Sequence, residues 1–240
     1  MSSRPGYHNR KEHICSKIYS LLLSLTKEPQ KYGEIAPKLE CWTDYVLRED
    51  FLTVDELVEE VSYVAWDTNS GSFTSVGKFL KEFRDAPHRS EQARTFVTQM
   101  CSYVLRWFAI ASVESLSSSW NPTSVSSCRG KGFTRAASFV GCLIEWGLLS
   151  HELVRRHLTK PLTNHYDNDH RTDSPAAFRA IAIYQLFVAA GSTLLQGFLE
   201  PDDVQACFDV LDAWSRRGMV CGAAELEVQY TACGDVSPRA

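Results

Sequence analysis

The chain has 240 residues, a formal net charge of −4 at pH 7, and a composition that is 44% hydrophobic and 22% charged. This composition is typical of a globular protein and excludes a disordered or fibrous chain, and no apolar run approaches the ~20 residues that a membrane-spanning helix needs. Because the molecule carries no excess of positive charge, any contact with nucleic acid must come from a local basic patch.

Nine amphipathic helices are predicted along the chain. Apolar residues recur at every third and fourth position, and this period places them on one face of a helix. The segments that follow it are 14–25, 35–46, 53–64, 76–83, 90–111, 133–147, 151–160, 175–199 and 201–214. In the fifth segment, the buried stripe is predicted to include both Val104 and Trp107.

Capping and helix-breaking residues set several of the predicted bounds. Thr53 and Glu56 have the spacing of a capping box, which begins the third helix. Pro37 is placed in the first turn of the second helix, where a proline is tolerated. Pro161 is predicted to end the seventh helix because a proline disfavours helical geometry in the preceding residue. Gly191 is predicted to break the eighth helix in two.

Two segments are predicted to be flexible. Residues 117–131 are rich in serine and glycine, which is the composition of a flexible loop. Residues 219–240 lack a helical pattern and are predicted to form a poorly ordered tail. The remainder, 1–218, is predicted to be a single helical-repeat domain.

The predicted fold class is all-α, because no segment alternates between polar and apolar residues as a strand does. The connections are mostly short, and short connections favour antiparallel neighbours. We therefore expect stacked antiparallel helix pairs, as in a HEAT-like α-solenoid. A compact helical bundle is the alternative, since no literal sequence repeat is visible.

The segment 129–162 is the predicted centre of the fold. A small-residue entry leads into one apolar helix, which Gly147 ends, and Ser150 begins a second helix that comes back along the first. Alanine and glycine in the buried stripe of the first helix allow a close approach between helices. We therefore expect a helix hairpin here.

Basic residues concentrate around this hairpin and are the candidate site for a partner. If they lie on one edge of the stack, they form a patch that binds phosphates or an acidic protein surface. This basic patch consists of Arg129, Lys131, Arg135, Arg155, Arg156 and Lys160. A solvated helix face is the alternative interpretation, and the helix between the two sets has no aromatic series for base stacking.

No catalytic or metal-binding constellation is found in the sequence. His151 and Glu152 begin like the helix of a zinc protease, but Arg155 stands where the second histidine is required. The polar loop 163–173 lacks the glycine and the final glutamate of a calcium loop. The glycines around Lys131 lack the upstream glycine of a phosphate loop. We therefore predict no cofactor, no metal and no enzymatic activity.

The cysteines and the first apolar run bear on localisation. The eight cysteines are scattered without a Cys-x-x-Cys pair, which favours a reducing compartment. The apolar run 18–25 starts late for a signal peptide and is followed by no small-residue cleavage site. We predict a cytoplasmic protein, with the nucleus as the alternative.

Three motifs in the middle of the chain resemble the middle domain of eukaryotic initiation factor four-gamma. They are Phe-Val-Gly at 139–141, Gly-Leu-Leu-Ser at 147–150 before a helix that ends in Leu162, and the apolar run 181–191 that ends at a glycine. The resemblance covers roughly residues 50–215, with specific motifs only within 129–191. Cys142 replaces the acidic residue that usually follows the family's glycine, and the loop 163–173 is long.

The resemblance implies a fold of HEAT-like helix pairs and a scaffold role, with a DEAD-box RNA helicase, RNA or another messenger-ribonucleoprotein component as the partner. We therefore hypothesise a non-enzymatic adaptor in a translation or mRNA-related complex. One alternative is a self-assembling structural or regulatory homodimer. Another is a small-molecule enzyme or binding protein in a helical bundle, for which a closed pocket holding His157 or His165 would be the sign.

Overall fold

The structure, a computed structural model, describes residues 5–49, 52–67, 71–114, 124–163, 175–195 and 198–216. Throughout these ranges the regular secondary structure is helical and no strand occurs, so the predicted all-α class is confirmed. The nine α-helices in the described ranges are α1 (Pro5–Lys27), α2 (Tyr32–Arg48), α3 (Val54–Ser62), α4 (Thr74–Asp85), α5 (Glu91–Glu114), α6 (Ser124–Glu145), α7 (His151–Thr163), α8 (Pro175–Ala190) and α9 (Pro201–Ser215). Short 3₁₀ helices cover Pro29–Lys31, Tyr63–Ala65 and Gly191–Leu195.

The local signals in the sequence place several helix ends correctly. The Thr53 backbone N–H donates to Glu56 Oε2 at 2.8 Å, and the Glu56 N–H donates to Thr53 Oγ1 at 3.2 Å, which is the predicted capping box. Gly147 ends α6 with a φ of 64°. Gly191, with a φ of 55°, lies where α8 gives way to a 3₁₀ helix, as predicted.

Pro37 and Pro161 both lie inside helices, so the prediction for each of them is wrong. Because α2 begins at Tyr32, Pro37 lies beyond its first turn, inside the helix. The missing hydrogen bond is tolerated because the same stretch buries Ile35 and Leu39. α7 continues through Pro161 to Thr163, because the steric clash before a proline disfavours a helical residue without excluding it.

The predicted flexible loop over 117–131 is partly wrong. Residues 115–123 lie outside the described residues, but α6 already begins at Ser124. Serine and glycine lower helix propensity by only about 0.5–1 kcal/mol per residue relative to alanine, and tertiary packing of a helix routinely overrides such a preference. The predicted tail, 219–240, lies outside the described residues.

The chain divides into two compact units, an N-terminal unit (Met1–Tyr103) and a C-terminal unit (Val104–Ala240). The single domain over 1–218 stays a prediction. In the N-terminal unit, α1 packs against α2, α3 and α4, and Ile18, Leu22 and Leu25 of α1 are completely or almost completely buried.

Arg89 joins the segment between α4 and α5 to α2. Its guanidinium is only 3% exposed and forms ion pairs with both Glu40 and Asp44. It also lies 4.7 Å from the ring centre of Phe83, which adds a cation–π contact. A buried cation with two anionic partners fixes this connection, because separating them leaves charges in a poorly solvated position.

The C-terminal unit is organised around the contact between α6 and α8. α7 packs on α9, and α8 also packs on α9. The partner along the length of α6 is therefore α8, where the predicted hairpin had placed α7. The reason is Gly141: a Cβ there would lie 2.6 Å from the Leu186 carbonyl oxygen and 2.7 Å from the Ala189 Cβ, so the helices meet backbone to backbone.

We expect Gly141→Ala to destabilise the C-terminal unit by about 1–3 kcal/mol, because the added methyl overpacks the contact between α6 and α8. Gly33→Ala is the matched control, since it also lies in a helix but a Cβ there meets nothing within 4 Å. The control should leave stability unchanged or raise it by up to about 1 kcal/mol. Urea unfolding followed by circular dichroism measures both, and a wild-type midpoint for Gly141→Ala would contradict the close approach.

We expect Arg89→Met to lower the free energy of unfolding by about 2 kcal/mol. This is less than the ~3–5 kcal/mol lost when one partner of a fully buried ion pair is removed, because Glu40 is 43% exposed and can rehydrate. Arg48→Met is the control: Arg48 also pairs with Asp44, at 3.4 Å, but is 66% exposed, and its loss should cost no more than ~0.5 kcal/mol. The same unfolding measurement applies. Equal effects of the two substitutions would show that burial of Arg89 contributes nothing.

Candidate interaction surface

The predicted basic patch is distributed over two helices. Arg129, Lys131 and Arg135 belong to α6, and Arg155, Arg156 and Lys160 belong to α7. The side chains of Arg129, Lys131 and Lys160 lie outside the described residues, so the geometry of the patch is given by the other three. Of these, Arg135 is half-buried, and Arg155 and Arg156 are exposed.

The first turn of α7 positions its two arginines. Ser150 Oγ accepts a hydrogen bond from the Leu153 backbone N–H at 3.3 Å, which caps the helix as the sequence predicted. His151 stacks on Phe198 with 3.9 Å between ring centres. Val154 and Leu158 are completely buried, so Arg155 and Arg156 lie on the side of α7 that faces solvent.

Both α7 arginines have carboxylate partners within the chain. Arg155 pairs with Glu200, the residue that caps α9, at 3.0 Å, and Arg156 pairs with Glu152 one turn earlier at 2.6 Å. All four side chains are at least half exposed. Exposed ion pairs contribute only about 0–1 kcal/mol, so an external anion can exchange with these carboxylates.

The α5 residues of the C-terminal unit carry a feature that the sequence prediction missed. Trp107 was predicted to be buried, but it is 46% exposed, and Ile110 is 40% exposed. The buried residues advance by four at each turn, which rotates the buried face around the helix and leaves Trp107 at its edge. The buried side chains near this end of α5 are Val104, Leu105 and Phe108.

Phe108 fixes the orientation of this end of α5. Its ring stacks on Phe133 of α6 at 4.8 Å between centres, with the planes only 7° apart. With Phe108 turned inward, Arg106, Trp107 and Ile110 lie on the outer side of α5, and Ile110 is the neighbour of both others because it lies three residues from Trp107 and four from Arg106. We call these three residues the α5 face. The sequence signal that could have predicted this exposure is the recurrence of apolar residues at every fourth position of α5, which rotates the buried face around the helix.

His157 links the charges of α5 and α7. Burial, followed by the positive charges of Arg156 and Arg106, holds the pKa of His157 below its ordinary value of 6.5. Arg106 of α5 therefore lies within electrostatic reach of His157, as Arg156 of α7 does. Arg106 itself is exposed, and no described carboxylate pairs with it.

An open groove of about 300 Å³ lies in the N-terminal unit, between α1 and α2. It is lined by His13, Ile14, Cys41, Trp42 and Tyr45. The groove does not contain His157, and His165 lies outside the described residues. Within the described ranges, no three histidine, cysteine or carboxylate side chains come together as metal ligands.

The buried thiols pack as small apolar side chains, as the sequence predicted for several cysteines. Burial raises the pKa of Cys15 to about 11 and that of Cys101 to about 12. Both therefore stay protonated near neutral pH, and a protonated thiol is a poor nucleophile and metal ligand. In the part of the chain that the structure describes, no helix is both long and apolar enough to span a bilayer.

We expect Arg106→Gln and Arg156→Gln each to raise the pKa of His157, because each removes a positive charge that disfavours the imidazolium. Arg155→Gln, whose charge does not act on His157, is the control. Histidine proton shifts in an NMR titration measure the change. Since the folded protein disfavours protonation, the stability contribution of His157 is present above about pH 6.5 and is lost as the pH falls below it.

An unchanged pKa of His157 in Arg106→Gln would show that α5 and α7 do not share this charge cluster.

The resemblance to the initiation factor's middle domain over 129–191 stays a prediction from its motifs. Comparison of the chain with protein families, curated proteins and solved structures finds no match.

Proposed function

We propose that the chain is a non-enzymatic helical-repeat scaffold that binds a protein partner through its C-terminal unit. The order of helix contacts supports this proposal. α6 packs on α8 and α7 packs on α9, so each helix of the segment α6–α7 contacts its counterpart in the segment α8–α9. Successive repeats of a HEAT-like solenoid stack in this way, which leaves their outer faces available to other macromolecules.

The observation that carries the proposal is the exposed arginine pair of α7. Arg155 and Arg156 project from a helix whose inner side is fully buried, and their ion pairs lie at the surface. Arginine on a rigid, well-packed element is a favourable contact residue, because its planar guanidinium forms two parallel hydrogen bonds to a carboxylate or phosphate.

The resemblance supplies the class of partner. We infer that a DEAD-box RNA helicase or RNA binds the basic patch, in a translation or mRNA-related complex of the cytoplasm or nucleus. A homodimer is the second candidate, and the half-exposed Val188 on α8 favours it. Sedimentation velocity at increasing concentration distinguishes the two, because only self-association shifts the boundary without an added partner.

The proposal is tested by titrating the full chain with a purified DEAD-box helicase core and, separately, with an oligouridylate. We expect one of them to bind, and the double variant Arg155→Glu/Arg156→Glu to bind at least about tenfold more weakly, because both contact charges are reversed. Arg216→Glu is the matched control, since Arg216 is also exposed and paired one turn away, with Asp212. Failure of both ligands to bind the wild-type chain would overturn the proposed partner, and equal binding by the double variant would overturn the proposed site.

A further inference from the structure

The α5 face combines one cation with two large apolar side chains. Arg106, Trp107 and Ile110 are all exposed, and Trp107 and Ile110 lie one helical turn apart. Tryptophan and arginine are the side chains most enriched among the dominant contact residues of protein interfaces. Aromatic residues and arginine are also enriched at protein interfaces relative to the rest of the surface.

The one charged group of this face is the cation Arg106, although the chain as a whole is negative. Arg106 pairs with no described carboxylate, and its charge acts on His157 together with that of Arg156. An acidic ligand placed on Trp107 and Ile110 therefore meets a cation that has no carboxylate partner among the described residues. Charge complementarity thus points to a negatively charged occupant.

The same residues argue against a polynucleotide as that occupant. A nucleic-acid strand is bound through a row of cations along its phosphates and through planar groups that stack on its bases. Here one indole stands beside the aliphatic Ile110, and Arg106 is the one cation of the α5 face. The α5 face therefore has neither the row of cations nor the series of planar groups that a strand requires.

We propose that the α5 face binds an acidic amphipathic helix of a protein partner, with apolar side chains packed on Trp107 and Ile110 and carboxylates directed at Arg106. An amphipathic helix presents apolar anchors at intervals of three and four residues, which matches the one-turn separation of Trp107 and Ile110. This inference rests on the proposed scaffold function and names the chemistry of the partner.

The probe is a fluorescein-labelled synthetic peptide of about 18 residues, long enough to form a helix, with leucines at every third and fourth position and glutamates between them. Comparison peptides carry lysine in place of glutamate, or the same residues in scrambled order. An oligouridylate is the nucleic-acid arm. Fluorescence anisotropy with the full chain measures each affinity.

We expect saturable binding of the acidic peptide that weakens as salt is added. Trp107→Ala and Arg106→Glu should each weaken it about tenfold or more, and Arg106→Glu should gain affinity for the lysine peptide. Tyr63→Ala, which removes a 59% exposed aromatic in the N-terminal unit, and Arg48→Glu are the matched controls. If Trp107→Ala changes the circular dichroism spectrum, Ile110→Ser replaces it.

Three results would overturn the proposal: equal binding of the scrambled peptide, wild-type affinity of the α5 variants, or an oligouridylate whose binding depends on Trp107 in place of the acidic peptide. The two proposals fail separately. If binding of the helicase core requires Arg155 and Arg156 but is unchanged in the α5 variants, and the peptide does not bind, the scaffold proposal is supported and the α5 proposal is wrong. If the peptide binds as expected while neither helicase nor RNA binds, the α5 proposal is supported and the proposed helicase or RNA partner is wrong.

Discussion

The close approach of α6 and α8 at Gly141 is the constraint on which the C-terminal unit depends. The first atom of any other side chain would overlap the Leu186 carbonyl and the Ala189 methyl. Small residues elsewhere on both helices, Ala136 and Ala137 of α6 and Ala182 of α8, are also completely or almost completely buried. Dispersion contacts of this kind are individually weak and collectively large. Because α7 lies between these two helices along the chain and α9 follows them, their spacing also sets where Arg155 of α7 meets Glu200 at the start of α9.

Features that depend on residues close together in the chain could be predicted from the sequence. The capping box at Thr53, the end of α6 at Gly147 and the break at Gly191 each depend on local backbone chemistry, and each was predicted. Features decided by distant residues could not be predicted. The partner of α6 depends on which helix offers a small enough surface, and the Arg89 ion pairs join positions 45 and 49 residues apart, with no local pattern to reveal them.

The candidate site likewise has a part that the sequence predicts and a part that it does not. The exposure of Arg155 and Arg156 follows from the apolar positions around them, because Val154 and Leu158 define the inner side of α7. The exposure of Trp107 does not follow from hydrophobicity, since indole is among the most apolar side chains. It depends on the direction in which the buried face of α5 rotates, and Phe108 fixes that direction through its contact with Phe133 of another helix.

The ion pairs of α7 also set a threshold for recognition. Glu152 and Glu200 occupy the guanidinium groups of Arg155 and Arg156 whenever nothing else is bound. An incoming anion must therefore displace a tethered carboxylate whose effective concentration is high, and a single weak acid gains little from the exchange. Ligands that bring several carboxylates at once overcome this competition. If the arginine pair binds an acidic partner, as proposed, the resident glutamates favour a densely charged surface over scattered small anions.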